Sequence, residues 1–207
     1  EIINPDSYYH LYHGGAYNMF YYPYKDLTKW DKNGEIVKHS KSVLRNLGYQ
    51  GFSGCGYGKR GEILDAHILK NRMIFTHEGH AISKITTDNG IIVNSFINSI
   101  LCQYVINQYC TQHKVNGYIN LLPLPFDAAK KNFDDIKSIL TSIINIRRRW
   151  FSIDETNLEY QGLIAKLNIC DTVQSAIDEL QSLLLSEFNC YQNLIEQNDN
   201  IWMEMAD

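Results

Sequence analysis

His77 and His80 flank Glu78 in the tetrapeptide His-Glu-Gly-His, residue types that bind zinc when spaced correctly. A metalloprotease helix sets its histidines four apart, on one face, with a glutamate as general base. Here they are three apart around Gly79, a spacing that favours histidines hydrogen-bonded or solvated in a turn. The stretch SGCGYGKRGE, residues 53–62, offers a second chemistry. Gly54, Gly56, Gly58 and Gly61 around Lys59 and Arg60 resemble a phosphate loop, but the P-loop spacing is missing and no Ser or Thr follows Lys59. That leaves a flexible loop or tight turn, or a loop whose glycines let Lys59 and Arg60 come close to a phosphate. Metal-dependent nuclease chemistry would need Pro5-Asp6 to join Asp135 and Lys137, 129 positions further on in a different compositional half. No Gly-x-Ser-x-Gly elbow and no Cys paired with a nearby His is present, so covalent hydrolysis has no support.

Nucleic-acid binding is the remaining chemistry. Basic residues interleave with aromatics or polar groups in residues 21–30 (YYPYKDLTKW), 38–45 (KHSKSVLR) and 56–61 (GYGKRG). Lys and Arg that touch phosphate supply affinity, whereas Arg, Lys, Asn and Gln that reach base edges supply sequence information. The alternative is core tyrosines with solvated lysines. Charge is asymmetric: residues 1–125 carry 12 Lys and Arg against nine Asp and Glu and hold all seven histidines, whereas residues 126–207 carry seven basic against 14 acidic groups. A polyanion would prefer the first part.

The bulk composition sets limits. With 44% hydrophobic and 12% aromatic residues the chain is not disordered as a whole. No apolar run reaches the length of a membrane span, and the expected location is the cytoplasm. The opening residues show no secretory leader pattern, and the start on Glu1 without an initiator Met makes a fragment of a longer polypeptide the expectation. Its five cysteines lack CxxC spacing and are expected to be reduced thiols, with no metal site or disulfide framework.

Several elements must position these groups. Residues 73–76, 81–84 and 90–93 read as strands, with Asn89-Gly90 as a hairpin turn. Residues 36–47 read as a short helix. Val93, Phe96, Ile97, Ile100, Leu101, Tyr104 and Val105 follow helical spacing and predict one amphipathic helix. A polar turn at residues 112–117 follows, and then a chain stiffened by Pro123 and Pro125. Beyond Phe126 the pattern is helical: residues 127–150, a second helix from about Asp154, and a third capped by Asp171 with a stripe from Val173 to Tyr191. The expected fold class is α+β: a mixed domain with small sheets at 1–125, then an α-helical spacer at 126–207.

In order and spacing, residues 10–126 resemble the C-terminal target-recognition region of PglX-type BREX methyltransferases. These are N6-adenine DNA methyltransferases related to type IIG restriction-modification enzymes. The resemblance rests on Gly14 and Gly15, Tyr22 to Lys25, Trp30, Asn33 to Glu35, Lys38 to Arg45, Asn94-Ser95 and Leu122-Pro123. It implies sequence-specific recognition of double-stranded DNA in a restriction or phage-defence system. The family's S-adenosylmethionine loop and Asn-Pro-Pro-Tyr tetrad are not in this sequence, and Asn4-Pro5-Asp6-Ser7 is no substitute for the tetrad. The chain alone is then not an enzyme: S-adenosylmethionine belongs to a catalytic domain of the same polypeptide or complex. On side-chain chemistry, Lys38, Lys41, Arg45, Lys59, Arg60 and Lys114 are the candidate DNA-binding cations, with Tyr57, Gln112, His113 and Asn116 as polar readers. Lys59 and Arg60 are the favoured pair. Two other functions stay open. One is a protein-interaction or specificity-subunit-like module docking through its acidic helices, with Arg147-Arg148-Arg149-Trp150 as a contact. The other is a metal-dependent hydrolase.

Overall fold

The computed structural model describes residues 7–14, 18–31, 34–35, 37, 46–162 and 172–206. It has an α+β fold with two three-stranded sheets. The first sheet joins β1 (Tyr8–Tyr12), β2 (Leu27–Lys29) and β5 (Met73–Phe75) in the order β2-β1-β5, with β1 and β2 antiparallel and β1 and β5 parallel. The second joins β3 (Gly54–Gly58), β4 (Ala66–Leu69) and β6 (Gly79–Ser83) in the order β4-β3-β6, antiparallel throughout.

The glycine-rich stretch expected to be a flexible loop is the central strand of this second sheet, and all five of its residues are buried. Its glycines serve close approach. A Cβ at Gly56 would fall 2.5 Å from the Tyr12 ring, and one at Gly54 would fall 2.1 Å from the Ile82 carbonyl oxygen. The first sheet thereby presses its Tyr12 ring onto the second.

Residues 90–93 are not a strand and Asn89-Gly90 is not a hairpin turn: both lie in helix α1 (Thr87–Ile97). The Thr86 side chain caps it by accepting from Asn89 N, and Gly90 lets the helix seat closely on Gly54 of β3. The single amphipathic helix expected around residues 93–105 is instead two, α1 and α2 (Ile100–Tyr109), bent by 71° at Asn98-Ser99. The Asn98 side chain leaves the helix to pair with β4, its Oδ1 accepting from Ala66 N at 3.0 Å and its Nδ2 donating to Ala66 O at 2.9 Å. Ser99 then caps α2 by accepting from Cys102 N. Past the bend the apolar face turns outward, so Ile100 and Tyr104 are 59% and 67% exposed.

Short helices α3 (Asn116–Ile119) and α4 (Phe126–Lys131) lead to α5 (Phe133–Phe151) and the 32-residue α6 (Val173–Glu204). The helix expected from Asp154 is instead a series of turns: Leu158 N donates to Tyr24 O, and Glu159 accepts from the Tyr21 hydroxyl. Residues 163–171, including Cys170 and the expected cap Asp171, lie outside the described residues, as does most of the helix expected at 36–47. Leu47 opens a short 3-10 turn, Leu47–Tyr49.

The core runs across the compositional boundary at Phe126. Cys55 and Tyr57 of β3 and Phe96 of α1 share one apolar cluster with Ile136, Leu140 and Ile143 of α5 and Trp202 of α6. Trp202 is fully buried, tilts against the Phe96 ring at 5.1 Å and donates its indole N–H to Ser95 Oγ at 2.8 Å. Among the described residues no single helix is long and apolar enough to cross a membrane.

Candidate functional site

A groove of about 990 Å³ lies where β1, β5 and β6 meet the end of β3 and the start of α3. Trp30, Tyr49 and Phe75 supply aromatic walls, while Lys59, His77, His80 and Asn116 supply polar groups. The strand pairing explains this convergence. Tyr57 lies opposite His80 and Gly58 opposite Gly79, which puts Lys59, just past β3, beside the turn that carries His77. Lys59 Nζ sits 3.1 Å from His77 Nε2. The buried Tyr57 hydroxyl donates to Asn116 Oδ1 at 2.5 Å and so fixes that amide at the groove edge. Burial raises the Tyr57 phenol well above its ordinary range, which keeps it a neutral donor.

His80 is half-buried, and desolvation holds its imidazole below its ordinary value, against a hydrogen-bonding interaction with the Asn116 side chain as acceptor, which favours the charged form. Its Nδ1 is buried with no hydrogen-bond partner. An unpaired buried nitrogen costs free energy. No carboxylate is among the described residues lining the groove. Beside it, Lys84 Nζ lies 4.9 Å from the ring centres of both Tyr49 and Phe52, two exposed aromatics. Such a site can take an anion at Lys59, stack a flat ring and pair a polar edge with Asn116 or His80.

The candidate residues fall in different places. Lys59 and Asn116 line the groove and Tyr57 supports it from beneath. Arg60 is exposed and paired with Glu78 at 2.8 Å, and its backbone bridges to His113. Gln112 and His113 are exposed, and the Gln112 carbonyl accepts from Gly61 N.

Lys114 departs from expectation. It is 0% exposed, and its ammonium donates to Asn107 Oδ1 at 2.6 Å and to the carbonyls of Thr111 and Cys110. Its charge closes the turn after α2 and is not presented to solvent. Lys38, Lys41 and Arg45 lie outside the described residues, but Val37 and Asn46, on either side of them, both line the groove.

His77 and His80 entered the sequence reading as metal candidates. Their role in the groove depends on strand register, which their spacing did not reveal. The basic run at the end of α5 is used internally: Arg148 pairs with Glu159, Arg149 with Glu187, and the Arg147 guanidinium lies over the rings of Trp150, Phe151 and Tyr191.

The chain matches no protein-family model, and a search of curated proteins finds no match. The fold and site therefore define it only as an α+β protein with an aromatic groove whose described lining carries no carboxylate.

Proposed function

We propose that this chain recognises double-stranded DNA in a sequence-specific manner, as the reading part of an adenine-specific DNA methyltransferase of a restriction or phage-defence system. The supporting observation is the convergence of Lys59, His77, His80 and Asn116 on one aromatic-walled groove whose described lining carries no carboxylate. Lys59 is the phosphate contact, Asn116 the base-edge reader, and the His80 side chain a second polar group lining the groove. Lys38, Lys41 and Arg45 lie outside the described residues and stay candidate phosphate contacts by their place in the sequence between the groove residues Val37 and Asn46. Methyl transfer and S-adenosylmethionine binding belong to a catalytic domain of the same polypeptide or a partner.

Fluorescence anisotropy against a randomised duplex pool, at a series of salt concentrations, tests this. Lys59→Ala should weaken binding evenly across sequences and lower the salt slope by about 1. Asn116→Ala should relax preference at one base position, by about 1–3 kcal/mol. If both variants keep the wild-type affinity and preference, the groove is not the DNA site. If the intact chain shows no salt-dependent duplex binding at all, DNA recognition is wrong.

A further inference from the structure

The wall of the groove at Asn116 is rigid before any ligand arrives. The chain after α2 pairs back along the end of β3: Gly61 N donates to the Gln112 carbonyl, Lys114 N donates to the Lys59 carbonyl at 2.8 Å, and Arg60 bridges to His113. The buried Lys114 ammonium, held by Asn107 Oδ1 and the carbonyls of Thr111 and Cys110, closes the same turn. Two residues later comes Asn116, exposed and lining the groove. A ligand therefore meets a side chain whose backbone is already fixed.

What that side chain can offer is set by its neighbours. An amide carries one acceptor oxygen and a nitrogen with two donor hydrogens, and a free asparagine can use either. Tyr57 removes the choice. Its hydroxyl, on a phenol that burial keeps protonated, donates to Asn116 Oδ1 at 2.5 Å. The Asn116 side chain is also the acceptor toward His80. A carbonyl oxygen has two lone pairs, so these two contacts occupy it. Turning the amide over would take the acceptor away from the phenolic proton, which is costly. Among the described residues Asn116 Nδ2 meets no hydrogen-bond acceptor, and its N–H groups remain for a ligand.

Base edges differ in this respect. In the major groove guanine shows two neighbouring acceptors, O6 and N7. Adenine sets an acceptor beside its amino donor, thymine an acceptor beside a methyl, and cytosine shows a donor. An asparagine that both donates and accepts fits adenine. One that only donates fits guanine best, and the amino groups of adenine and cytosine oppose it.

Resting on the reading of the groove as a duplex-DNA site, we propose that Asn116 reads a guanine, separate from the adenine to be methylated, and that Tyr57 is the positioning residue that sets this choice by holding the amide oxygen. Lys59 adds affinity without influencing which base is chosen.

The test selects duplexes from a randomised pool with the full chain and its variants and sequences what is bound. The position whose preference vanishes in Asn116→Ala should carry guanine in the wild type, favoured over adenine about tenfold. Placing 7-deazaguanine there, which lacks the N7 acceptor, should weaken binding about tenfold, whereas inosine, which keeps O6 and N7, should bind like guanine. Tyr57→Phe frees the amide oxygen and should bring adenine to within about threefold of guanine, with affinity for the guanine duplex kept. A merely structural loss would lower all four bases together. Asn116→Asp, an acceptor-only replacement at an exposed position, should move the preference to cytosine. A wild-type preference for another base at that position, no position lost in Asn116→Ala, or guanine preference surviving in Asn116→Asp overturns the guanine assignment while DNA recognition stands. Unchanged preference in Tyr57→Phe overturns the role of Tyr57. A chain that binds no duplex overturns both this assignment and the DNA reading.

Discussion

His67, His10 and His80 have imidazoles held below their ordinary value, with burial the leading cause at each. His67 is fully buried on β4, where its Nε2 faces the Asn18 carbonyl at 2.6 Å and its Nδ1 the Tyr12 hydroxyl at 2.7 Å. These contacts assign the proton to Nε2 and make Nδ1 the acceptor. A lowered pKa in the fold means that the unfolded chain takes up protons first as pH falls. Stability should be full above the ordinary histidine value and decline below it, by up to about 1.4 kcal/mol per pH unit for each histidine. Urea unfolding at pH 7.5 and pH 5.5 checks this, and His67→Gln should flatten the slope by one histidine's share. Asp154, held down to about 2 mainly by its hydrogen bond with Lys25, adds a loss of stability only in more acidic solution. Lys114 belongs to the same scale. Sequence marks it as a cation in a polar turn, but whether its ammonium meets solvent or three oxygens depends on how the chain folds back there.

At the scale of the element, two side-chain amides finish the edges of the two sheets. Gln50 pairs with both backbone groups of Phe75 on β5, and Asn98 pairs with both of Ala66 on β4. Each stands in for a neighbouring strand and leaves less of the edge open. Asn98→Ala would strand the buried Ala66 N–H on β4, while Ala66 O keeps its bond from Phe20 N, and should cost about 1–3 kcal/mol, read as a lower urea midpoint with unchanged slope. The bend between α1 and α2 comes from the same pairing, and this explains why helical periodicity overran it. Apolar residues at steps of three and four occur on both sides of the break, while the side chain that causes it is bonded to a strand 32 positions earlier. The single helix expected over 127–150 is divided at Asn132 into α4 and α5, and its larger part, α5, was legible because its pattern is local.

Over the whole molecule, the shift in composition at Phe126 does not divide the core. The sequence separates a tyrosine- and glycine-rich part from a helical one, and both supply one cluster through Phe96, Ile136 and Trp202. Trp202→Ala, near the end of the chain, should therefore cost about 3–5 kcal/mol and destabilise the sheets along with the helices. Thermal melts followed by far-UV and near-UV circular dichroism should show a single transition moving down; a sheet signal that stays in place would argue for two independent units.

The amphipathic pattern of α5, the stripe of α6, strands near residues 73–75 and 79–83, and the charge imbalance between the two parts follow from the amino-acid order alone, because periodicity and charge are local properties. Long-range contact settled the meaning of the glycines in 54–58 and at 90, the burial of Lys114 and the gathering of Lys59, His77, His80 and Asn116. A glycine is equally suited to a mobile turn and to a place where another chain comes within 3 Å, and a histidine to a turn or a groove wall. Only the packing of Tyr12, Ile82 and the β3–β6 register selects between these roles.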